Sequence, residues 1–165
     1  MKLLTGYNKL MGKVNQFVGY FLALLLLIMT ILITWQVFAR FVVGSPLTFS
    51  EEIARFIMIW LTMLGSAYAL RKGTLISLDV LLEFGGKTVG AILKYIIPII
   101  SILFALILII YGFQLTGMVS YQTAPSTRVS MMWPMLALPV SGIVIVLNSI
   151  SLLIDQIVGK EEKKA

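Results

Sequence analysis

Four charged residues lie close together in a chain that is 59% hydrophobic, namely Arg40, Glu51, Glu52 and Arg55. Glu51 and Arg55 are four positions apart, so they share one face of a helix. Glu52 is placed to face Arg40 across a short hairpin. Because both signs of charge are present, we expect a structural salt bridge that fixes the hairpin or docks a partner subunit. A proton or ion relay is less well supported, since no acidic residue lies in the middle of an apolar segment.

The residues that most often bind metals or act as nucleophiles are missing. The chain contains no cysteine and no histidine, which removes disulfides, thiol nucleophiles, imidazole metal sites and bis-histidine haem ligation. A catalytic carboxylate needs a positioned partner, and Asp79 has only Glu83 one turn later, which fits a polar helix face. The sequence therefore predicts a protein that is not an enzyme and that has no catalytic, cofactor-binding or metal-binding residues.

The composition indicates that the solvent of this chain is a lipid bilayer. The mean hydropathy is +1.01, and the apolar fraction exceeds the roughly 45–50% of an average soluble domain. The net charge of +6 does not point to nucleic acid, because the basic residues lie at the edges of apolar runs and not on one clustered face. We predict a single membrane domain over residues 1–165, in contact with lipids and not with nucleic acid.

Long uncharged segments predict an all-α fold with four transmembrane helices. Between Lys13 and Arg40 lie 26 uncharged residues, too many for the 7–15-residue core of a signal peptide. The second segment, between Arg55 and Arg71, has only 15. It spans the bilayer only if the helix begins near Thr48, where Glu51 three residues later completes a capping-box pattern. The predicted spans are residues 15–42, 48–70, 90–119 and 131–158.

The distribution of basic residues predicts the orientation. Ten of the 13 basic residues lie on the side that holds both termini and the central connection, and three lie on the other side: Arg40, Arg55 and Arg128. Positively charged loops remain in the cytoplasm. Both termini are therefore predicted to be cytoplasmic.

The central connection is predicted to be an amphipathic helix on the membrane surface, over residues 74–86. The polar residues assigned to this interfacial helix, whose connection begins at Arg71, are Arg71, Lys72, Asp79 and Glu83. The apolar residues of the segment would be costly to expose in water, and they include Leu75, Leu78, Leu81, Leu82 and Phe84. A plain solvated loop is the alternative.

Several segments resemble the small membrane subunit of tripartite ATP-independent periplasmic (TRAP) transporters, the DctQ-like family. The resemblance covers roughly residues 37–140, and its most specific part is the run from Ser45 to Phe56. The matching segments are Val37-Phe38-Ala39-Arg40-Phe41, Ser45-Pro46-Leu47-Thr48-Phe49-Ser50-Glu51-Glu52-Ile53-Ala54-Arg55-Phe56, Trp60, Ala69-Leu70-Arg71-Lys72-Gly73, Ile76-Ser77-Leu78-Asp79, Met132-Trp133-Pro134 and Ala137-Leu138-Pro139-Val140. Thr74-Leu75 departs from the family, in which many members carry a polar pair that often includes histidine.

The resemblance implies a noncatalytic subunit in the bacterial inner membrane that forms a heterodimer with a large TRAP membrane subunit. A periplasmic substrate-binding protein would deliver an organic acid, and a sodium gradient would drive its uptake. Sialic acid and C4-dicarboxylates are the implied substrates, and the sequence does not separate them. The candidate residues for docking the binding protein are Ser45, Thr48, Gln122, Ser126 and Arg128.

Two other classes of four-helix membrane protein are considered. A small multidrug exporter needs a carboxylate buried in the membrane, and the first helix has none. A membrane anchor subunit of a redox enzyme is disfavoured in its haem-binding form by the absence of histidine. A quinone-binding anchor remains open at this stage.

Overall fold

The structure, a computed structural model, describes residues 2–44, 47–73 and 76–162; the side chains of residues 2–5, 43, 76–91 and 157–162 are outside this description. The elements are α1 (Lys2–Phe38), a π-helical turn (Ala39–Val43), α2 (Thr48–Lys72), α3 (Ile76–Met118), the short α4 (Met132–Met135) and α5 (Ala137–Glu162).

Four helical segments are long and apolar enough to cross a membrane, which confirms the all-α fold with four spans. They are Gly6–Val42, Thr48–Lys72, Ile92–Met118 and Met132–Gln156. At about 1.5 Å per residue, the 25 residues of α2 reach roughly 38 Å, enough for a hydrocarbon core of about 30 Å. The start of α2 at Thr48 agrees with the sequence, whereas α1 begins well before residue 15 and the fourth span is divided into α4 and α5.

The predicted break between a surface helix and the third span is absent. The backbone is one continuous helix from Ile76 to Met118, 43 residues long, and it passes through Gly85 and Gly86. A glycine inside a helix costs only about 1 kcal/mol relative to alanine, so this pair does not by itself end the helix. Asp79 and Glu83 lie among the side chains outside the description, as do Thr74 and Leu75 as a whole, so the interfacial position of this segment stays a prediction.

The bundle has two ends. The hairpin end carries the connection between α1 and α2 and the loop of residues 119–131, which we call the α3–α5 loop. The terminal end carries the beginning of α1 and the ends of α2 and α5. Two helical segments end on a glycine in the left-handed conformation: Gly44 has φ 72° after the π-helical turn, and Gly73 has φ 67° after α2.

The fifth helix is the centre of the bundle. It packs against α3, α2 and α1, while α1 and α2 also pack against each other. Within the described residues, the backbone of α3 approaches those of α4 and α5 but not those of α1 or α2, so α3 is attached to the bundle mainly through α4 and α5. The most apolar 18-residue stretch is 44% buried in the fourth span but only 6% buried in the first. Few residues of the first span are fully buried, so this span exposes more of its surface to lipid or to another protein than the fourth span does.

Small residues allow α3 and α5 to approach closely. A Cβ atom added to Gly112 of α3 would lie 2.9 Å from the Pro139 ring, and one added to Gly142 of α5 would lie 2.8 Å from Ile109. Ala105 is fully buried in the same interface and shares a core cluster with Ile145. Close packing of this kind drives helix association in a bilayer, where apolar burial alone gives little.

Candidate functional site

Glu52 at the hairpin end binds the α3–α5 loop. One carboxylate oxygen accepts a hydrogen bond from the backbone N–H of Ser126 at 2.8 Å. The other oxygen accepts one from the backbone N–H of Thr127 at 2.8 Å and one from its hydroxyl at 2.9 Å. These bonds tie the first turns of α2 to the tip of the loop, and charge-assisted hydrogen bonds are the stronger kind.

The α3–α5 loop also has a defined internal structure. Thr123 and Ser130 form an isolated antiparallel bridge. Within it, the N–H of Ala124 donates to the carbonyl of Val129 at 2.9 Å, and the N–H of Arg128 donates to the carbonyl of Ala124 at 3.0 Å. Arg128 has φ 55°, a left-handed conformation that is uncommon for residues other than glycine. The loop is thus a closed turn that presents Arg128 at its surface.

The predicted pair of Glu51 and Arg55 forms, and the predicted pair of Glu52 and Arg40 does not. The Arg55 guanidinium donates to the Glu51 carboxylate on the exposed side of α2. Arg40 lies over the ring of Phe41, 5.7 Å from its centroid. Among the described residues, no ion pair joins Arg40 to Glu52, because the Glu52 carboxylate is already bound by the α3–α5 loop.

Thr48 makes a contact across the hairpin end and not the expected capping box. The residue that caps α2 is Leu47, whose side chain makes no cap bond, and the N–H of Ser50 donates to its carbonyl at 3.2 Å. The Thr48 hydroxyl lies 2.9 Å from the hydroxyl of Ser126. Two predicted docking residues, Thr48 and Ser126, are therefore in direct contact, although they are 78 positions apart.

Two of the three remaining docking candidates lie on the same loop. Gln122 and Arg128 are exposed in the α3–α5 loop, and Ser45 is outside the described residues. Below the loop, the Trp60 indole N–H donates to the carbonyl of Trp133 at 3.2 Å, which ties α2 to α4. Hydrogen bonds therefore join α2 to the α3–α5 loop and to α4 at the hairpin end, where both polar and aromatic side chains are exposed.

A second polar cluster, at the terminal end, was not predicted from the sequence. Asn15 of α1 and Asn148 of α5 bond to each other in both directions, at 2.6 and 3.0 Å. The remaining amide hydrogens donate to the carbonyls of Met11 at 2.9 Å and of Ala67 in α2 at 2.8 Å. Both asparagines are buried, with 3% and 0% of their surface exposed. We call this pair the asparagine lock, because it joins the three helices α1, α2 and α5.

The polar contacts continue to the end of α5. Asp155 accepts a hydrogen bond from Arg71 of α2 at 2.5 Å and another from Asn8 of α1. The Ser151 hydroxyl donates to Asn8 at 2.6 Å. Arg71 was expected to belong to a surface helix, but it lies in the last turn of α2 and holds α5. One sequence signal for this cluster exists, because Asn148 and Asp155 are seven positions apart and so share a helix face.

The fold and these two clusters define a polytopic helical membrane protein whose polar residues mainly connect its own helices. A model of the family described as tripartite ATP-independent periplasmic transporters, DctQ component, matches residues 29–159, which is most of the chain. The chain therefore belongs to the DctQ family and is a small membrane subunit of a TRAP transporter. A comparison with curated proteins gives no match.

Proposed function

We propose that this chain is a noncatalytic scaffold that braces the large membrane subunit of a sodium-driven TRAP transporter. The observation that carries the proposal is that hydrogen bonds and an ion pair join the helices inside the bundle, while its outer faces are apolar and exposed. Three helices are joined by the asparagine lock and the Arg71–Asp155 pair, while the outward faces of α1 and α3 are broad, apolar and unoccupied within the chain. A rigid element with such faces is suited to hold a partner in the bilayer.

The hairpin end of α1 is the part of that exterior best suited to the large subunit. The rings of Trp35 and Phe38 stack with centroids 6.0 Å apart. Phe41 and Phe38 are 77% and 49% exposed, and Arg40 is exposed beside them. Aromatic and arginine side chains are the types enriched where protein interfaces are most strongly bound.

The polar surface of the hairpin end is proposed to dock a periplasmic binding protein. Thr48, Gln122, Ser126 and Arg128 lie there, and the bonds from Glu52 hold the loop in one conformation before any partner arrives. A loop that is already ordered loses less conformational entropy on binding. This role requires the hairpin end to face the periplasm and both termini to face the cytoplasm of the inner membrane, as the basic residues predict.

The transported solute is proposed to be an organic acid, with sialic acid and C4-dicarboxylates as the two candidates. The binding protein and the large subunit would select it. Within the proposal, this chain carries neither the solute nor the sodium ion, which agrees with the absence of a carboxylate in the middle of any apolar segment.

Substitution of two exposed arginines at the hairpin end tests the two proposed interfaces separately. The Arg40→Glu variant is expected to weaken association with the large subunit by about tenfold, equivalent to ~1.4 kcal/mol. The glutamate would lose the favourable contact that the arginine makes, and its carboxylate would be left at the interface without a partner of opposite charge. The Arg128→Glu variant is the matched control, and it is expected to leave this association unchanged while weakening capture of the binding protein. Both affinities are measured by co-purification and by titration in lipid nanodiscs.

Equal recovery of the large subunit by the native chain and by Arg40→Glu would contradict the proposed interface. Loss of the complex in Arg128→Glu, with binding-protein capture unaffected, would reverse the assignment of the two surfaces. Circular dichroism of each variant verifies that the helices are retained.

A further inference from the structure

A cleft of about 750 Å³ opens between α1 and α2 at the terminal end. Its α1 wall includes Gly12, Gln16 and Tyr20, and its α2 wall includes Tyr68, Arg71 and Lys72. The volume is within the roughly 300–1,000 Å³ that is usual for sites that hold small molecules. None of the proposed contacts with the transporter partners uses this cleft.

Two glycines in α1 make the cleft possible. A Cβ atom added to Gly12 would have no atom within 4 Å, so the space beside this residue is open. At Gly19 the same addition would lie 3.1 Å from the Tyr68 ring, which shows that the ring rests against the bare backbone of α1. The cleft is thus open beside Gly12, which has no side chain, and narrow beside Gly19, where the Tyr68 ring approaches α1.

The rim of the cleft is rich in hydrogen-bond donors and carries positive charge. The Lys72 ammonium lies 5.8 Å from the centroid of the Tyr68 ring and, among the described residues, has no carboxylate partner. The Arg71 guanidinium uses one N–H for Asp155, and an arginine has five. Asp155 also accepts a hydrogen bond from Asn8, so its carboxylate is shared between α1 and α2.

The cleft also has a gradient from polar to apolar. Its lining runs along α1 from Gly12 to Leu22, about 15 Å at 1.5 Å per residue. The basic residues lie at the end of α2, beside Gly73, where the helix leaves the span. Leu22 lies farther along α1, within the apolar part of the first span. A ligand that fits both ends has an anionic head and an apolar tail.

We infer that this cleft binds the phosphate of an anionic phospholipid, with Arg71 and Lys72 as the phosphate ligands and the apolar wall around Leu22 receiving the start of an acyl chain. Tyr20 and Gln16 are already joined by a hydrogen bond of 3.3 Å and lie at the level of the glycerol backbone. Guanidinium and ammonium groups are the side chains that bind phosphate best. The lipid fills the space left by Gly12 and links α1 to the end of α2.

The inference is tested by native mass spectrometry of the full-length chain in detergent. The chain is titrated separately with phosphatidylglycerol, phosphatidylcholine and inorganic phosphate. We expect one phosphatidylglycerol to be retained in preference to phosphatidylcholine, and no binding of inorganic phosphate at the same concentrations. The Lys72→Gln variant is expected to lower the apparent affinity for phosphatidylglycerol by roughly fivefold, since one basic residue near a lipid headgroup contributes about 1 kcal/mol.

Two further variants make the test specific. Lys13→Gln removes an equal charge from an exposed position of α1 that does not line the cleft, and it is expected to bind phosphatidylglycerol as the native chain does. Gly12→Leu fills the opening while keeping every charge, and it is expected to lose binding although leucine favours the helix. Equal binding of both lipids, or equal losses in Lys13→Gln and Lys72→Gln, would overturn the site. Binding of inorganic phosphate as tight as that of phosphatidylglycerol would show an anion site and not a lipid site.

Discussion

Replacing Asn148 by leucine is expected to lower the free energy of unfolding by about 1–2 kcal/mol. The substitution removes two donors and one acceptor from the buried asparagine lock and leaves the amide of Asn15 and the carbonyl of Ala67 without their partner. Asn148 has 0% of its surface exposed, so its hydrogen bonds are shielded from solvent in the native bundle. The change is measured by titration with sodium dodecyl sulfate in mixed micelles, followed by circular dichroism.

A double-mutant cycle separates the asparagine lock from ordinary packing. The Asn15→Leu variant is expected to lose a similar amount of stability, and the double variant is expected to lose less than the sum, because no unpaired amide then remains. The control is Gln114→Leu, which changes an exposed amide of α3 in the same way. Additive losses in the cycle, or an equal loss in the control, would show that the two asparagines do not act as a pair.

Replacing Gly112 by valine is expected to separate α3 from the bundle, at a cost of about 1–3 kcal/mol. A Cβ atom at this position would lie 2.9 Å from the ring of Pro139 and 3.0 Å from its backbone nitrogen, and neither atom can rotate away. The effect on the fold is large because α3 depends on α4 and α5 for its attachment within the described residues. Cross-linking of engineered cysteines between α3 and α5 measures the separation, alongside the unfolding titration.

The matched control for this variant is Gly65→Val in α2. Both variants replace a helical glycine by valine, so the change in intrinsic helix preference is the same. A Cβ atom at Gly65 would have nothing within 4 Å, so only the steric contact differs between the two variants. We expect Gly65→Val to be close to neutral. Equal stability of the two variants would contradict the close approach of α3 and α5.

The sequence was sufficient to predict the four spans, because span length and hydropathy are local properties. The pair of Glu51 and Arg55 was likewise predicted from a spacing of four. The partners of Glu52 were not, since they depend on how the α3–α5 loop folds back from 74 positions away. Opposite charge suggested Arg40, but two backbone N–H groups and a hydroxyl bind the carboxylate instead.

The buried asparagines were missed for a different reason. From the sequence, an asparagine inside an apolar helix looks like a single tolerated polar residue. Its structural role depends on the residue that faces it on another helix. Asn15 and Asn148 are 133 positions apart, and neither lies in a segment that resembles a binding motif. Thr48 shows the converse error, because a local capping pattern was present while the hydroxyl found its partner in Ser126.

The continuity of α3 also depended on more than local preference. The amphipathic pattern of residues 74–86 suggested a separate helix, yet the backbone continues to Met118. Helix formation is cooperative, so a segment with modest preference is extended by the strongly apolar helix that follows it.

The central claim, that this chain braces a transporter without carrying the solute, is tested most directly by uptake into liposomes. Labelled organic acid, binding protein and an inward sodium gradient are supplied to vesicles that contain this chain, the large subunit, or both. We expect sodium-dependent uptake only where both membrane subunits are present. Uptake by vesicles that contain this chain alone, or full uptake by the large subunit without it, would contradict the account.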